Sequence, residues 1–185
     1  MLEERRGKNT GPALDSRTAR DLYLLAGHRT RAANALYYGV YYTDRKDDLK
    51  QHLAVVEQVF QEFLAVGDFH NVVDSLDALR YLYFGLASSP DGARVSRLLK
   101  RAVASIPTGE YLERARLAEA TFEIDTDNES ESTRQSLLKL TKSSSEEIRC
   151  HAHQKLGLYY GELGEREQAL GELKKALSLS SWQMR

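Results

Sequence analysis

The sequence predicts an all-α protein built from short antiparallel helix pairs. Apolar residues recur every three or four positions through most of the 185 residues, and no segment shows the alternation typical of a strand. Only three prolines occur, and none interrupts these periodic segments. Turn signals separate the segments at short intervals, and short turns favour antiparallel neighbours. We therefore expect about nine helices.

Composition and charge argue against several classes of protein. The chain is 42% hydrophobic and 29% charged, with a net charge of -1, which is typical of a globular protein and unfavourable for a broad nucleic-acid-binding surface. No apolar stretch approaches the roughly 20 residues of a membrane span. One cysteine, Cys150, and no secretory signal pattern indicate a cytoplasmic protein. We expect no nucleic-acid partner and no membrane partner.

The first part of the chain predicts a leader followed by two helices. Residues 1–14 mix charges with Gly and Pro and lack an apolar period, so we interpret them as flexible and place a single helical domain over 15–185. Asp15 is the expected N-cap of the first helix, and Gly27 ends it. The second helix spans 29–43, with Leu36 and Val40 on its apolar face.

The middle of the chain predicts a pair of longer helices and a third helix. Apolar residues repeat at helical spacing over 46–66 and again over 69–86. Gly67 and Asp68 between them combine a C-terminal glycine with an N-cap aspartate, which predicts a sharp turn. Ser89 and Pro90 then supply the cap and the first residue of the next helix.

The C-terminal half predicts two further pairs. A helix containing Tyr111 and Phe122 ends in the polar run 125–132, and a weaker helix follows over 137–142. Ser144 or Ser145 caps the next helix. The stretch KLGLYYGELGEREQALGELKKAL, residues 155–177, contains most of the final pair, in which Gly164 ends the first helix.

The final pair resembles the tetratricopeptide repeat (TPR), best over 150–183. The residues that carry the resemblance are Leu156, Gly157, Tyr160, Gly164, Ala169, Leu173 and Ala176. Independently of the family, Gly157 and Ala169 are small where two helices approach closely, and Tyr160 and Leu173 fill the space beside them. The departures are His153 where the family commonly has Trp, and Ser181 where it commonly has Pro.

The same spacing recurs upstream in weaker form, over most of 29–107, and poorly over 111–142. The resemblance implies a right-handed superhelical α-solenoid, and hairpins of this kind bury their apolar faces only by stacking. The alternative is a closed helical bundle in which the spacing is coincidental.

The resemblance also implies that the first helix of each pair lines a concave groove holding an extended peptide or a partner helix. The family's groove positions correspond here to Leu36, Val40, Asp77, Arg80, Phe84, Glu113, Arg116, His151, Gln154, Leu158 and Glu162. In this register Arg80 and Arg116 face one cleft and hydrogen-bond an acidic group of the partner, while Phe84 meets an apolar side chain. Alternatively each arginine pairs with the acid three residues before it.

Three functional hypotheses follow. The leading one is a non-enzymatic interaction module or adaptor. The second is a scaffold that self-associates through the last helix, because that helix keeps apolar residues that no later helix covers: Leu170, Leu173, Leu177 and Trp182. The third is the sensor domain of a larger bacterial regulator, by resemblance to helical-repeat domains coupled to output domains.

Motifs for catalysis, metals and cofactors are not found in the sequence. His151 and His153 lie beside Cys150, but on a helix the two imidazoles point about 200° apart. The polar run from Asp125 resembles a calcium loop, but Ser130 replaces the glycine such a loop requires. A basic helix face, formed by Arg94, Arg97, Lys100 and Arg101, is interpreted as solvated surface.

Overall fold

The computed structural model describes most of the chain from residue 46 to residue 180. The described ranges are 46–86, 89–126 and 130–180, with helical residues also at 18–19, 21–22 and 25. Side chains from residue 46 onward are described at 54, 56–77, 92–126 and 130–180. The helices are α1 Lys46–Val66, α2 Phe69–Leu86, α3 Ser89–Ser105, α4 Glu110–Asp125, α5 Glu131–Leu140, α6 Glu146–Glu162 and α7 Arg166–Ser180.

The all-α prediction is confirmed for the described residues, which contain these seven helices and no strand. The predicted leader, most of the first two predicted helices and Trp182 lie outside the described residues. The count of about nine helices therefore stays a prediction. Among the described helices, none is both long and apolar enough to cross a lipid bilayer.

The chain divides into two compact units, residues 1–91 and 92–185. In the first unit α1 packs against α2. Its buried apolar side chains, among those described, are Val56, Val59, Phe60, Phe63, Val72, Val73 and Leu76. In the second unit α4 packs against α5 and α6, and α6 packs against α5 and α7.

The turn between α1 and α2 has the geometry predicted from its two residues. Gly67 has a φ of 71°, the left-handed conformation that glycine adopts without steric cost. The amide of Asp68 donates to the carbonyl of Phe63 at 3.0 Å, which closes the end of α1. Oδ1 of Asp68 then accepts the amide hydrogen of Asn71 at 3.2 Å, so Asp68 is the N-cap of α2.

The helix α5 begins earlier than the sequence predicted. The weak helix expected over 137–142 is in the structure Glu131–Leu140. Ser130 and Thr133 form a reciprocal capping box: the Thr133 amide donates to Ser130 Oγ, and the Ser130 amide donates to Thr133 Oγ1. This start was missed because a capping box commonly has Glu or Gln in the place of Thr133.

The hairpin of α6 and α7 is closed by a short turn and by a close approach of the two helices. Gly164 has a φ of 77°, and the amide of Glu165 donates to the carbonyl of Tyr160 at 2.8 Å. A Cβ added at Gly157 would lie 2.6 Å from Cγ of Leu173 and 3.3 Å from the carbonyl oxygen of Ala169. The close approach predicted at Gly157 is therefore confirmed.

A single buried cluster joins α4, α5, α6 and α7. Its members are Ala120, Ile124, Leu137, Leu140, Ile148, Ala152, Leu156, Tyr159, Tyr160 and Ala169. Five of these belong to α6, which contributes the largest share of this cluster. The helices α4, α5 and α7 all pack against α6.

Candidate functional site

The helices α4 and α6 lie side by side and run in the same direction. Nη2 of Arg114 lies 2.9 Å from Oε2 of Glu147, and Nζ of Lys155 lies 3.1 Å from Oδ1 of Asp125. Arg114 precedes Asp125 on α4, and Glu147 precedes Lys155 on α6. Because the two ion pairs occur in the same order on both helices, the helices are parallel.

A third contact ties the first turn of α4 to the turn before α6. The hydroxyl of Ser143, a buried side chain, donates to the carboxylate of Glu113. Arg149 closes the same turn by donating from Nη1 to the carbonyls of Ser143 and Ser144 at 2.8 and 2.9 Å. Glu113, predicted to lie in the groove, is therefore engaged in holding α4 to the start of α6.

The opposite side of α6 meets α5 through a polar contact. Arg134 of α5 donates from Nε and Nη2 to the carboxylate of Glu131, and its interactions with Glu131 and with Tyr160 of α6 raise the pKa of Arg134. Hydrogen bonds from Arg134 and Gln135 lower the pKa of Glu131 to about 2. Tyr160 of α6 is thus joined to α5, on the side of α6 that faces the core.

One side of α6 is left exposed, and it contains the groove residues predicted for the final pair. These residues, named here the α6 face, are His151, Gln154, Leu158 and Glu162. Their spacing of three, four and four residues places them on one side of the helix. Leu158 is 43% exposed, whereas Leu156, about 200° away around the helix, is fully buried. The α6 face therefore points away from α5 and the core.

On α4, the arginine that contacts α6 is Arg114 and not Arg116. Arg116 is exposed, but it lies about 200° around the helix from Arg114, the arginine that contacts α6. Among the residues that share a side with Arg114 are Glu110, to which its Nε donates at 3.2 Å, and Tyr111, three positions earlier. Tyr111 is 42% exposed and was missed as a site residue, although its spacing from Arg114 is visible in the sequence.

The remaining predicted groove residues belong to the first unit. Leu36 and Val40 lie outside the described residues, and the side chains of Arg80 and Phe84 lie outside the described side chains. Asp77 is exposed on α2. The predicted placement of Arg80 and Arg116 facing one cleft therefore stays a prediction.

His153, which stands where the TPR family commonly has Trp, makes a buried polar link between α6 and α7. Its Nδ1 donates to Oε2 of Glu172 at 2.6 Å, and Lys175 donates to Oε1 of the same carboxylate at 2.7 Å. Burial raises the pKa of Glu172, but the hydrogen bonds from Lys175 and His153 outweigh it and hold this pKa below its usual value. His153 thus has a structural partner.

Cys150 faces the same interface. Its thiol donates to the carbonyl of Ala176 at 3.4 Å. Burial and the nearby carboxylate of Glu146 raise the pKa of this thiol, so at neutral pH the nucleophilic thiolate is disfavoured. Within the described ranges, no three His, Cys, Asp or Glu side chains lie close enough together to hold a metal ion.

The leucines predicted for self-association are exposed on α7. Leu170 is 57% exposed, Leu173 is 39% exposed and Leu177 is 70% exposed. Leu173 also packs over Gly157, so part of this side chain belongs to the hairpin itself. The α6 face and the α7 leucines are thus two separate exposed surfaces of the second unit.

Each of these surfaces presents leucine beside polar or charged side chains. Compared with protein-family models, with curated proteins and with solved structures, the chain shows no significant match to any of them.

Proposed function

We propose that this chain is a non-enzymatic protein-interaction module, a TPR-like α-solenoid that binds a peptide segment or helix of a partner on the α6 face. The observation that carries the proposal is the exposure of His151, Gln154, Leu158 and Glu162 on one side of α6. These are the positions that the resemblance to the TPR family selects for ligand contact.

The packing of α4 to α6 supports a repeating arrangement. α4 and α6 are parallel, and α5 packs against both of them. In a stacked array of hairpins, the first helix of one pair packs against the first and second helices of the pair before it. α6 stands in this relation to α4 and α5, and α7 completes its pair.

The chemistry of the α6 face indicates the kind of partner. Leu158 offers an apolar contact for one side chain of the partner, and Gln154 offers an amide that both donates and accepts hydrogen bonds. Glu162 and His151 flank these two residues and favour polar or basic groups at the margins. The acidic group expected near Arg80 and Arg116 is not part of this proposal, because Arg116 lies on another side of α4.

Selection of peptides from a random displayed library against the intact chain tests the proposal. Leu158→Asp places a charge at the centre of the α6 face, and we expect it to weaken binding of the selected peptides by about tenfold or more. Val66→Asp is the matched control, because Val66 is 53% exposed on α1 and lies outside the α6 face.

Two results would contradict the proposal. The first is a library that yields no peptide whose binding saturates in solution. The second is a set of selected peptides that bind the Leu158→Asp variant as tightly as the unmodified chain. Amide chemical-shift changes on peptide addition should cluster at His151, Gln154 and Glu162, which locates the contact independently of affinity.

A further inference from the structure

We propose that α7 pairs with α7 of a second copy of this chain, antiparallel, about a two-fold axis close to Leu170. The surface is separate from the α6 face, so the inference goes beyond the proposed function and does not depend on it. We assign a second copy of the chain as the binding partner of α7 because the exposed side of this helix is complementary to itself.

An apolar stripe runs the length of α7. Leu163, Leu170 and Leu177 follow one another at seven-residue intervals and are 54%, 57% and 70% exposed. Seven residues make about two helical turns, so Leu170 and Leu177 lie on one side of α7, and Leu163 lies in the turn at its N-terminal end. Leu173 lies along the edge of the stripe nearest α6.

Two opposite charges lie along the other edge of the stripe. Glu167 stands between Leu163 and Leu170, and Lys174 stands between Leu170 and Leu177. Both side chains are exposed, and within the described part of the chain neither forms an ion pair or a side-chain hydrogen bond. The exposed residues along this side of α7 are therefore, in order, Glu167, Leu170, Lys174 and Leu177.

This order is its own complement when the helix direction is reversed. If two copies cross antiparallel at Leu170, the two Leu170 side chains meet on the axis, and Glu167 meets Lys174 of the second copy. Two-fold symmetry repeats the charge contact, so apolar side chains meet at the centre and opposite charges meet twice. A parallel pairing would set Glu167 against Glu167 and Lys174 against Lys174, which is unfavourable.

The size of the contact predicts its strength. One helix from each chain buries less surface than a standard stable interface, so we expect a reversible dimer with a dissociation constant in the micromolar range. Sedimentation equilibrium of the full chain over a concentration series measures it directly.

Charge reversal tests the pairing. Glu167→Lys alone and Lys174→Glu alone each place like charges opposite one another twice, and each should raise the dissociation constant by about tenfold or more. An equimolar mixture of these two variants should recover the dimer, because in the mixed pair every charge again meets its opposite. The double variant Glu167→Lys with Lys174→Glu should also dimerise like the unmodified chain.

Leucine substitutions provide the apolar counterpart. Leu170→Asp, at the two-fold axis, should abolish the dimer, whereas Leu158→Asp, an exposed leucine on the α6 face, should leave it intact. Circular dichroism melting of each variant establishes that the fold is retained, so that a lost dimer reports the interface.

Three results would overturn the inference. One is an unmodified chain that sediments as a monomer at every concentration. Another is growth into assemblies larger than a dimer, which would indicate head-to-tail stacking or capture of a different helix. The third is a mixture of the two charge variants that stays as monomeric as each variant alone.

Discussion

The two hairpins of the second unit are held together in different ways. α6 and α7 contact each other along most of their length, with Gly157 against Leu173 and Ala169 and a three-residue turn closed at Gly164. α4 and α5 contact each other less, and α5 packs against α6 as extensively as against α4. The α6–α7 hairpin is therefore cohesive by itself, whereas the α4–α5 hairpin depends on α6.

The polar contacts of α4 also show that the α4–α5 hairpin is attached to α6. Three contacts attach α4 to α6 or to the turn before it: Glu113 with Ser143, Arg114 with Glu147, and Asp125 with Lys155. Within the α4–α5 hairpin, Thr133 donates to Glu123 at 2.6 Å at the start of α5. The charged residues of α4 thus reach past their own hairpin to the next one.

The largest expected effect comes from truncating the core side chain of α5. Leu137 is fully buried in the cluster that joins α4, α5 and α6. Leu137→Ala should lower the free energy of unfolding by about 3 kcal/mol, through lost apolar burial and a cavity. Urea titration measures the change. Protection of α4 and α5 amides from hydrogen exchange should fall more than that of α6 and α7, and equal losses in both hairpins would contradict the dependence of α4–α5 on α6.

Enlarging Gly157 tests the close approach inside the other hairpin. Gly157→Leu should destabilise the chain by about 2 to 3 kcal/mol, because the added side chain must displace Leu173 and meets the backbone of Ala169. Gly161→Ala is the matched control on the same helix, since a Cβ there meets nothing within 4 Å. We expect it to stabilise by about 0.5 to 1 kcal/mol. Thermal melting measures the stability change of both variants. Equal changes would show that the close approach of α6 and α7 at Gly157 does not form.

Double-mutant cycles compare the two ion pairs that join α4 to α6. The side chains of Lys155 and Asp125 are 19% and 16% exposed, while those of Arg114 and Glu147 are 32% and 49% exposed. Water screens the more exposed Arg114–Glu147 pair more strongly. We therefore expect a coupling free energy of about 1 to 2 kcal/mol for Lys155–Asp125 and of under about 1 kcal/mol for Arg114–Glu147. The reverse order would show that these contacts do not form as described.

The smallest effect concerns Glu119 of α4. Burial and the nearby Glu123 raise the pKa of Glu119, and together they outweigh the opposing effects of Lys100 and Arg116. A raised folded-state pKa means that this carboxyl favours folding when protonated, and that this contribution is lost as pH rises through that pKa. Glu119→Gln should therefore raise the melting temperature at pH 7 and change it little near pH 4. A variant that is less stable at pH 7 would contradict this assignment.

Local signals in the sequence predicted the turns well. Gly67 with Asp68, and Gly164 in the final pair, act on their own neighbours, so the left-handed glycine and the cap are readable from adjacent residues. The same holds for the small residue at Gly157, whose repeat spacing indicates a close approach.

The sequence was less informative where partners are distant. Arg114 and Glu147 are 33 positions apart, and nothing in the local pattern shows that Arg114, instead of Arg116, reaches α6. The start of α5 was predicted too late because a threonine, and not Glu or Gln, completes its capping box. The apolar residues of α5 are also few, and Leu137 and Leu140 are buried in the cluster that contains α6. Register between hairpins depends on packing, which helical spacing alone does not define.

Zero-length carbodiimide cross-linking, read by peptide mass spectrometry, tests most directly whether α4 and α6 lie side by side and parallel. We expect an amide bond between Lys155 and Asp125, whose Nζ and Oδ1 atoms lie 3.1 Å apart, and, in an Arg114→Lys variant, a second amide bond between residue 114 and Glu147. Lys175 with Glu172, 2.7 Å apart on α7, serves as the positive control. Formation of the control bond without either link between α4 and α6 would contradict the account.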